Sequence, residues 1–201
     1  MAQLAPLAQP IGVFDDYFAR QTEVIVLREK VMSLTGDSFE IKMQNGTPLF
    51  RVEGKVLSIS GRKTLTDMSG KKLFDIVKEH LHIHTTFAVE DASGRKVMTV
   101  KSGFALLGSK ATATFTTPRT GQQEVLKMKG NWFDSAADIV DERIGAVVGR
   151  IDRKLLSGRD LLFGQQTYAL TVAPNVDMAL MVALCICMDE KNNEGGGGLL
   201  G

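Results

Sequence analysis

Three histidines, His80, His82 and His84, occupy alternate positions in "EHLHIHTTFAVE". On a strand, side chains two apart share a face, so the three imidazoles would project together, as nitrogen ligands do in metal sites. The opposite face would carry Leu81, Ile83, Thr85, Phe87 and Val89, the side that belongs in a core. The histidines then fall on the wetted face, with no cysteine or carboxylate at matching spacing to complete a coordination sphere. The expectation is no metal, with this trio as the candidate that a metal would use.

Other residue types with chemical capacity lack the companions that chemistry needs. Cys185 and Cys187 are the only cysteines and lie two apart in an apolar run. On a helix their side chains would point about 200° apart, so they cannot pair with each other, and they read as buried, reduced thiols in an intracellular setting. Gly103 to Lys110 holds two glycines at phosphate-loop spacing, but Ser109 and Lys110 are in the reverse of the required order. A strand-like "ATATFTT" follows where a helix N-terminus should be. Adjacent acids occur at Asp15-Asp16, Glu90-Asp91, Asp141-Glu142 and Asp189-Glu190; they read as solvated turn or helix-end residues without partners. No nucleophile elbow or zinc-protease signature is present, so no catalytic residue, cofactor or enzymatic activity is expected.

The recurrent polar feature is Ser-Gly followed by Arg or Lys and then Lys, at 60–63, 69–72 and 93–96. Ser-Gly suits turn geometry, and lysine guards strand ends. In an antiparallel meander, turns separated by two strands share an end. Counting strands places the turns at 69–72, 93–96 and 118–122 together, gathering Lys71, Lys72, Arg95, Lys96 and Arg119 on one rim. Arg62 and Lys63 fall at the opposite end. With 24 basic and 23 acidic residues the chain has a net charge of +1, so attraction to an anionic partner would be local, and no nucleic-acid partner is expected.

These residues need a scaffold, and its most informative stretch is "DMALMVALCICMDEK" at 177–191. The run Met178 to Met188 would extend about 16 Å as a helix, half of a ~30 Å hydrocarbon core, and charges bound both ends. Apolar on every side, it is expected to be a core helix over about 176–190, with Asn175 as N-cap and Asp177 in the first turn. Between Glu23 and Ala173, period-two segments alternate with turn signals about every ten residues. Strands are expected at 39–43, 49–52, 56–59, 64–68, 72–78, 81–90, 96–101, 111–117, 124–129, 139–140, 146–151 and 167–172. A helix apolar all round needs apolar walls on all sides, and an antiparallel sheet closed around it supplies them while removing sheet edges.

Four stretches carry a resemblance: "KVMSLTGDSFEI" at 30–41, "SISGRKTLTDMSGKKLF" at 58–74, "GNWFD" at 130–134 and "GQQTYALTVAPNVDMALMVALCICMDEKNNE" at 164–194. Together they resemble the LURP-one-related family of plants, in the tubby C-terminal-like superfamily, which is related to phospholipid scramblases. The resemblance implies a mainly β fold, a closed antiparallel barrel of twelve strands enclosing a central hydrophobic C-terminal helix. The expected organisation is an N-terminal extension over 1–22, one barrel over 23–191 and a flexible tail over 192–201. Some family members are linked to defence, and tubby domains bind phosphoinositides through basic barrel residues. The expected function is a non-enzymatic cytoplasmic module, monomeric and without a transmembrane segment. It would be peripheral to the membrane and bind an anionic phospholipid headgroup through the rim. The alternatives are a scramblase-like membrane protein and a protein-binding adaptor.

Overall fold

The computed structural model describes residues 3–30, 38–54, 61–79, 84–103, 110–130, 136–152 and 167–196. Twelve antiparallel strands form a closed barrel in sequence order: β1 (Glu23–Lys30), β2 (Ser38–Met43), β3 (Pro48–Gly54), β4 (Lys63–Asp67), β5 (Lys72–Glu79), β6 (Thr86–Asp91), β7 (Lys96–Gly103), β8 (Lys110–Thr117), β9 (Gln122–Gly130), β10 (Ala136–Asp141), β11 (Val147–Asp152) and β12 (Thr167–Val172). β1 closes the ring against β12, with Glu23 opposite Val172 and Arg28 opposite Thr167. Inside runs helix α1 (Met178–Gly196).

Alternation supplies the barrel lining. Ile25 and Leu27, Phe39 and Ile41, Phe50 and Val52, Phe74 and Ile76, Phe87 and Val89 and their counterparts are buried around the helix. Every residue from Ala179 to Met188 is buried too, because walls surround the helix on all sides. Small side chains at Ala111, Ala113 and Ala137 and the bare backbone of Gly149 bring the wall close. A Cβ at Gly149 would lie 2.6 Å from Met181 Cε. Four hairpins share a further device: one apolar residue too many, just after the turn, at Leu49, Leu73, Val97 and Val148, where the register shifts. Such bulges increase strand twist and help a sheet curl into a barrel.

Two elements differ from the sequence expectation for physical reasons. β1 carries no strand signal in the sequence, because Val24 and Val26 on its outer face are as apolar as Ile25 and Leu27 on its inner one and the period-two contrast vanishes. The helix cap is also displaced. Asn175 takes a left-handed turn conformation, φ 68°, and donates from Nδ2 to the carbonyl of Leu7 at 2.8 Å. Asp177 is the N-cap: its Oδ1 accepts from the amides of Ala179 at 2.9 Å and Leu180 at 3.2 Å. The helix also continues to Gly196, so Asn192 to Gly196, read as tail, belong to its last turns. Of the expected strands, 56–59 lies outside the described residues, as does 81–83 of the segment expected at 81–90.

No helix among the described residues is long and apolar enough to cross a membrane. With Leu184 buried in the barrel centre, Leu184→Ala should lower unfolding free energy by about 2–5 kcal/mol. Leu184→Asp should abolish cooperative melting by circular dichroism, because an unpaired charge cannot be accommodated there.

Candidate functional site

The turns after Met43, Asp67, Asp91, Thr117 and Asp141 all lie at the barrel end where α1 begins, here the cap end. Two of them are near copies. Asp67 Oδ1 accepts from the Ser69 amide, the Ser69 hydroxyl and the Lys71 amide at 2.7–2.9 Å. Asp91 Oδ1 does the same with Ser93 and Arg95 at 2.6–3.0 Å. Gly70 and Gly94 take the left-handed position that a type I turn with a following bulge requires. The Ser93 hydroxyl and the Ser93 and Arg95 amides hold the Asp91 carboxyl down at about 2 despite some desolvation. The aspartate two residues before the serine completes the signal: Asp-x-Ser-Gly is an Asx-turn pattern.

These turns bring the five rim cations to one end, and every one of them has a carboxylate partner. Lys71 lies 3.9 Å from Asp16, Arg95 3.0 Å from Asp91 and Arg119 3.1 Å from Asp15. Lys72 turns back along its strand to Asp75 at 2.8 Å, where Arg62 and Thr64 also converge. Lys96 pairs with Glu79. The expectation that adjacent acids lack partners is therefore corrected. Asp15 and Asp16 bridge two turns, Glu90 binds Arg62, and Glu142 binds Lys127. These partners are far apart in sequence, and only the closed fold juxtaposes them. Asp141 is fully buried, not solvated; Arg143 sits between it and buried Glu124, whose carboxyl is raised by burial against the pull of Arg143.

At the far end, Lys63 is buried, pairs with Glu190 in the C-terminal half of α1 and lies 5.0 Å above the Phe39 ring. Arg62 is tied to Asp75 and Glu90, so both of these cations are structural. Cys185 and Cys187 are buried thiols, both pushed up by desolvation, which disfavours the thiolate. His84 is exposed, while His80 and His82 lie outside the described residues. No group of three His, Cys, Asp or Glu among the described residues could hold a metal. Gly103 ends β7 and Lys110 starts β8; the loop between them lies outside the described residues.

The segment before β1 seals the cap end. Leu4, Leu7, Ile11 and Ala19 are buried, and a single 3-10 turn over Asp15–Tyr17 holds the acid pair. Phe14 packs against Phe74, and Tyr17 meets Phe50 edge-on. The Tyr17 hydroxyl donates to Asp67 Oδ2 at 3.1 Å, and burial, helped by that carboxylate, pushes its pKa up to about 12. The knot is Asp177. Its Oδ2 accepts from the amides of Val13 at 2.9 Å and Phe14 at 2.8 Å, so one buried carboxylate binds four backbone donors from two segments. Gly12 makes this approach feasible, since a Cβ there would lie 2.1 Å from Asp177 Cβ.

The family model described as LURP-one-related matches residues 23–189, the barrel and most of its helix. The chain belongs to the LURP-one-related family. Its relatives include Protein LURP-one-related 15 of Arabidopsis thaliana, 26% identical over 94% of this chain and 90% of that protein. Protein LURP1 of the same plant is 24% identical over 94% of each. An X-ray structure of an Arabidopsis thaliana protein superposes with a TM-score of 0.59 at 18% identity, covering 91% of this chain and 99% of that one. At that identity the likeness establishes the fold, and the LURP-one-related barrel is the frame on which the rim sits.

The Asp177 knot has a pH signature. Burial pushes its carboxyl from 3.8 up to about 6, against the four amides that draw it down. The folded chain thus holds this proton more tightly than the unfolded one. As pH falls from about 6 to about 4, the wild type should gain on the order of 2–3 kcal/mol relative to Asp177→Asn, with no further gain below. Asp91 acts in the opposite direction and only below about pH 4, where its contribution is lost. At pH 7, Asp177→Asn should itself cost about 1–3 kcal/mol, because its amide group would face the Val13 and Phe14 donors. Urea unfolding at pH 7, 5 and 4 measures both effects, and a constant difference between the two proteins would contradict the linkage.

Proposed function

We propose that the chain is a non-enzymatic, peripheral binding module of a reducing cytoplasmic setting, meeting anionic lipid headgroups with the rim at its cap end. On the family resemblance, its context would be plant defence signalling. The observation that carries this reading is the convergence of Lys71, Arg95 and Arg119 through three turns, with side chains 63%, 78% and 58% exposed. Their carboxylate partners do not preclude it. Exposed ion pairs contribute about 0–1 kcal/mol, and a basic residue near an anionic membrane gains about 1 kcal/mol, so lipid phosphate can replace a carboxylate. The non-enzymatic part rests on where the perturbed groups sit. Asp177, Glu124, Cys185 and Cys187 are all buried, and the thiols are disfavoured as nucleophiles.

Vesicles of phosphatidylserine and phosphatidylcholine should retain the protein at low salt, whereas vesicles of phosphatidylcholine alone should not. Retention should fall as the screening length shrinks from about 10 Å at 0.1 M salt to about 3 Å at 1 M. Lys71→Glu/Arg95→Glu/Arg119→Glu should reduce it at least tenfold with an unchanged melting temperature. Lys129→Glu is the suitable control: Lys129 is exposed on the outer wall and has no ion-pair partner among the described residues. Arg62 and Lys63 hold structural networks and are unsuitable. Lack of wild-type retention, or equal loss in the control, would overturn the lipid reading and favour a protein partner.

A further inference from the structure

Among the described residues two large apolar side chains are exposed, Met68 at 42% and Ile144 at 47%. Both stand in turns at the cap end, Met68 three residues before Lys71 and Ile144 directly after Arg143. Neither serves the turn that carries it. Tight turns favour glycine, proline, asparagine, aspartate and serine, and in the twin turn after Asp91 the place of Met68 is taken by Ala92 with the same hydrogen bonds to the aspartate. Both turns are nevertheless firmly built. Asp67 Oδ1 binds the amides of Ser69 and Lys71, and Asp141 Oδ1 accepts from the amides of Arg143 at 2.8 Å and Ile144 at 3.4 Å.

A scattered surface methionine or isoleucine needs no explanation, so their placement decides the matter. Strands β5 to β10 separate the two turns on one side, and β11, β12 and β1 to β4 on the other. Met68 and Ile144 therefore stand at opposite points of the barrel mouth. Twelve strands about 4.8 Å apart and tilted by about 40° close into a ring roughly 24 Å across. The turns of Arg95 and Arg119 lie on one arc between the two apolar tips, whereas the other arc carries the turn at 44–47, with neither a cation nor a large apolar side chain. Two opposite points and one arc define a plane. A flat surface that meets Met68, Ile144, Arg95 and Arg119 leaves Gln44 lifted away from it.

A protein partner concentrates its apolar anchors at the centre of an interface, but here they stand at the perimeter, and the segment sealing the mouth presents Asp15 and Asp16. A bilayer surface accepts apolar points set among charged ones, and its hold grows with the apolar area buried as well as with charge. Because each rim cation already has a carboxylate partner, charge alone gives a weak hold. We propose that Met68 and Ile144 are the two points at which the cap end enters the bilayer interface, with Lys71, Arg95 and Arg119 at headgroup level and the barrel leaning toward the arc of the two arginines. The proposal rests on the rim reading for its anionic surface, and it adds depth and orientation.

Two measurements on the full chain test it. Met68→Ser/Ile144→Ser changes no charge, and its melting temperature should match that of the wild type. Withdrawing two half-exposed side chains of this size from a bilayer should weaken retention on vesicles of phosphatidylserine and phosphatidylcholine about tenfold, and the part that survives 1 M salt should vanish. For depth, Met68→Cys, Ile144→Cys and Gln44→Cys are each labelled with the same environment-sensitive fluorophore, which the buried Cys185 and Cys187 do not take up. Phosphatidylcholine spin-labelled on its acyl chain, mixed into the same vesicles, should quench the first two labels and spare the third. Undiminished retention of the serine variant, or quenching that is absent at 68 and 144 or equal at all three positions, would overturn the insertion. If retention still depended on salt and on the rim cations, the rim reading would stand without it. Quenching at 68 and 144 that is as strong on vesicles of phosphatidylcholine alone would support the insertion and overturn the anionic rim reading. Absence of retention on every vesicle would overturn both.

Discussion

A helix that is apolar around its whole circumference can exist in water only inside a wall that is closed, and most of this architecture follows from that. Closure requires every strand to be paired on both edges, and sequential antiparallel hairpins are the simplest way to achieve it. Hairpins in sequence order send alternate turns to opposite ends. Because α1 enters where β12 finishes, the turns after Met43, Asp67, Asp91, Thr117 and Asp141 share an end with the helix N-terminus and with the segment that precedes β1. The gathering of cations on one rim is thus a by-product of enclosing the helix.

The two barrel ends handle charge differently. At the far end Lys63 is buried against Glu190, where removing either partner would leave an uncompensated charge in a desolvated place. At the cap end, Lys71, Arg95 and Arg119 form exposed pairs that exchange readily with solvent ions. Buried charge there takes two forms: Asp141 and Glu124 are held around Arg143, whereas Asp177 faces backbone amides rather than a cation. Asp177 is the one that ties segments together. It joins the helix start to the N-terminal segment without consuming any of the rim's basic groups. Structure and surface chemistry are thereby separated: the buried groups hold the fold, and the groups that could exchange partners contribute little to it.

The helix was legible because eleven consecutive apolar residues leave no polar face, and the common end of the turns was legible because strand parity is topological and insensitive to exact strand limits. What escaped were features decided by distant residues. Asp15 and Asp16 gained partners only when Lys71 and Arg119 came across from other turns. The capping role went to Asp177 instead of Asn175 because the Val13 and Phe14 amides and the helix amides converge on one carboxylate, while Asn175 is needed to turn the chain. The N-terminal segment reads as an extension because it has no strand alternation, and the helical spacing of Leu4, Leu7 and Ile11 is interrupted by Pro6 and Pro10; these three are buried in irregular backbone instead.

The order of strands around the ring also governs how the chain is made. Glu23 must find Val172, and the element that fills the interior follows both. On a ribosome the first strands emerge with their inner faces bare and no helix to cover them, since α1 follows all twelve strands. Hairpins can form locally as they appear, but the seam between β1 and β12 is a contact of high sequence separation and is slow to close. During that interval the nascent barrel is an open sheet with two live edges and an apolar concave face. The barrel is therefore most aggregation-prone just before its seam closes, which makes translation of residues 167–196 the step at which a holding chaperone would matter most.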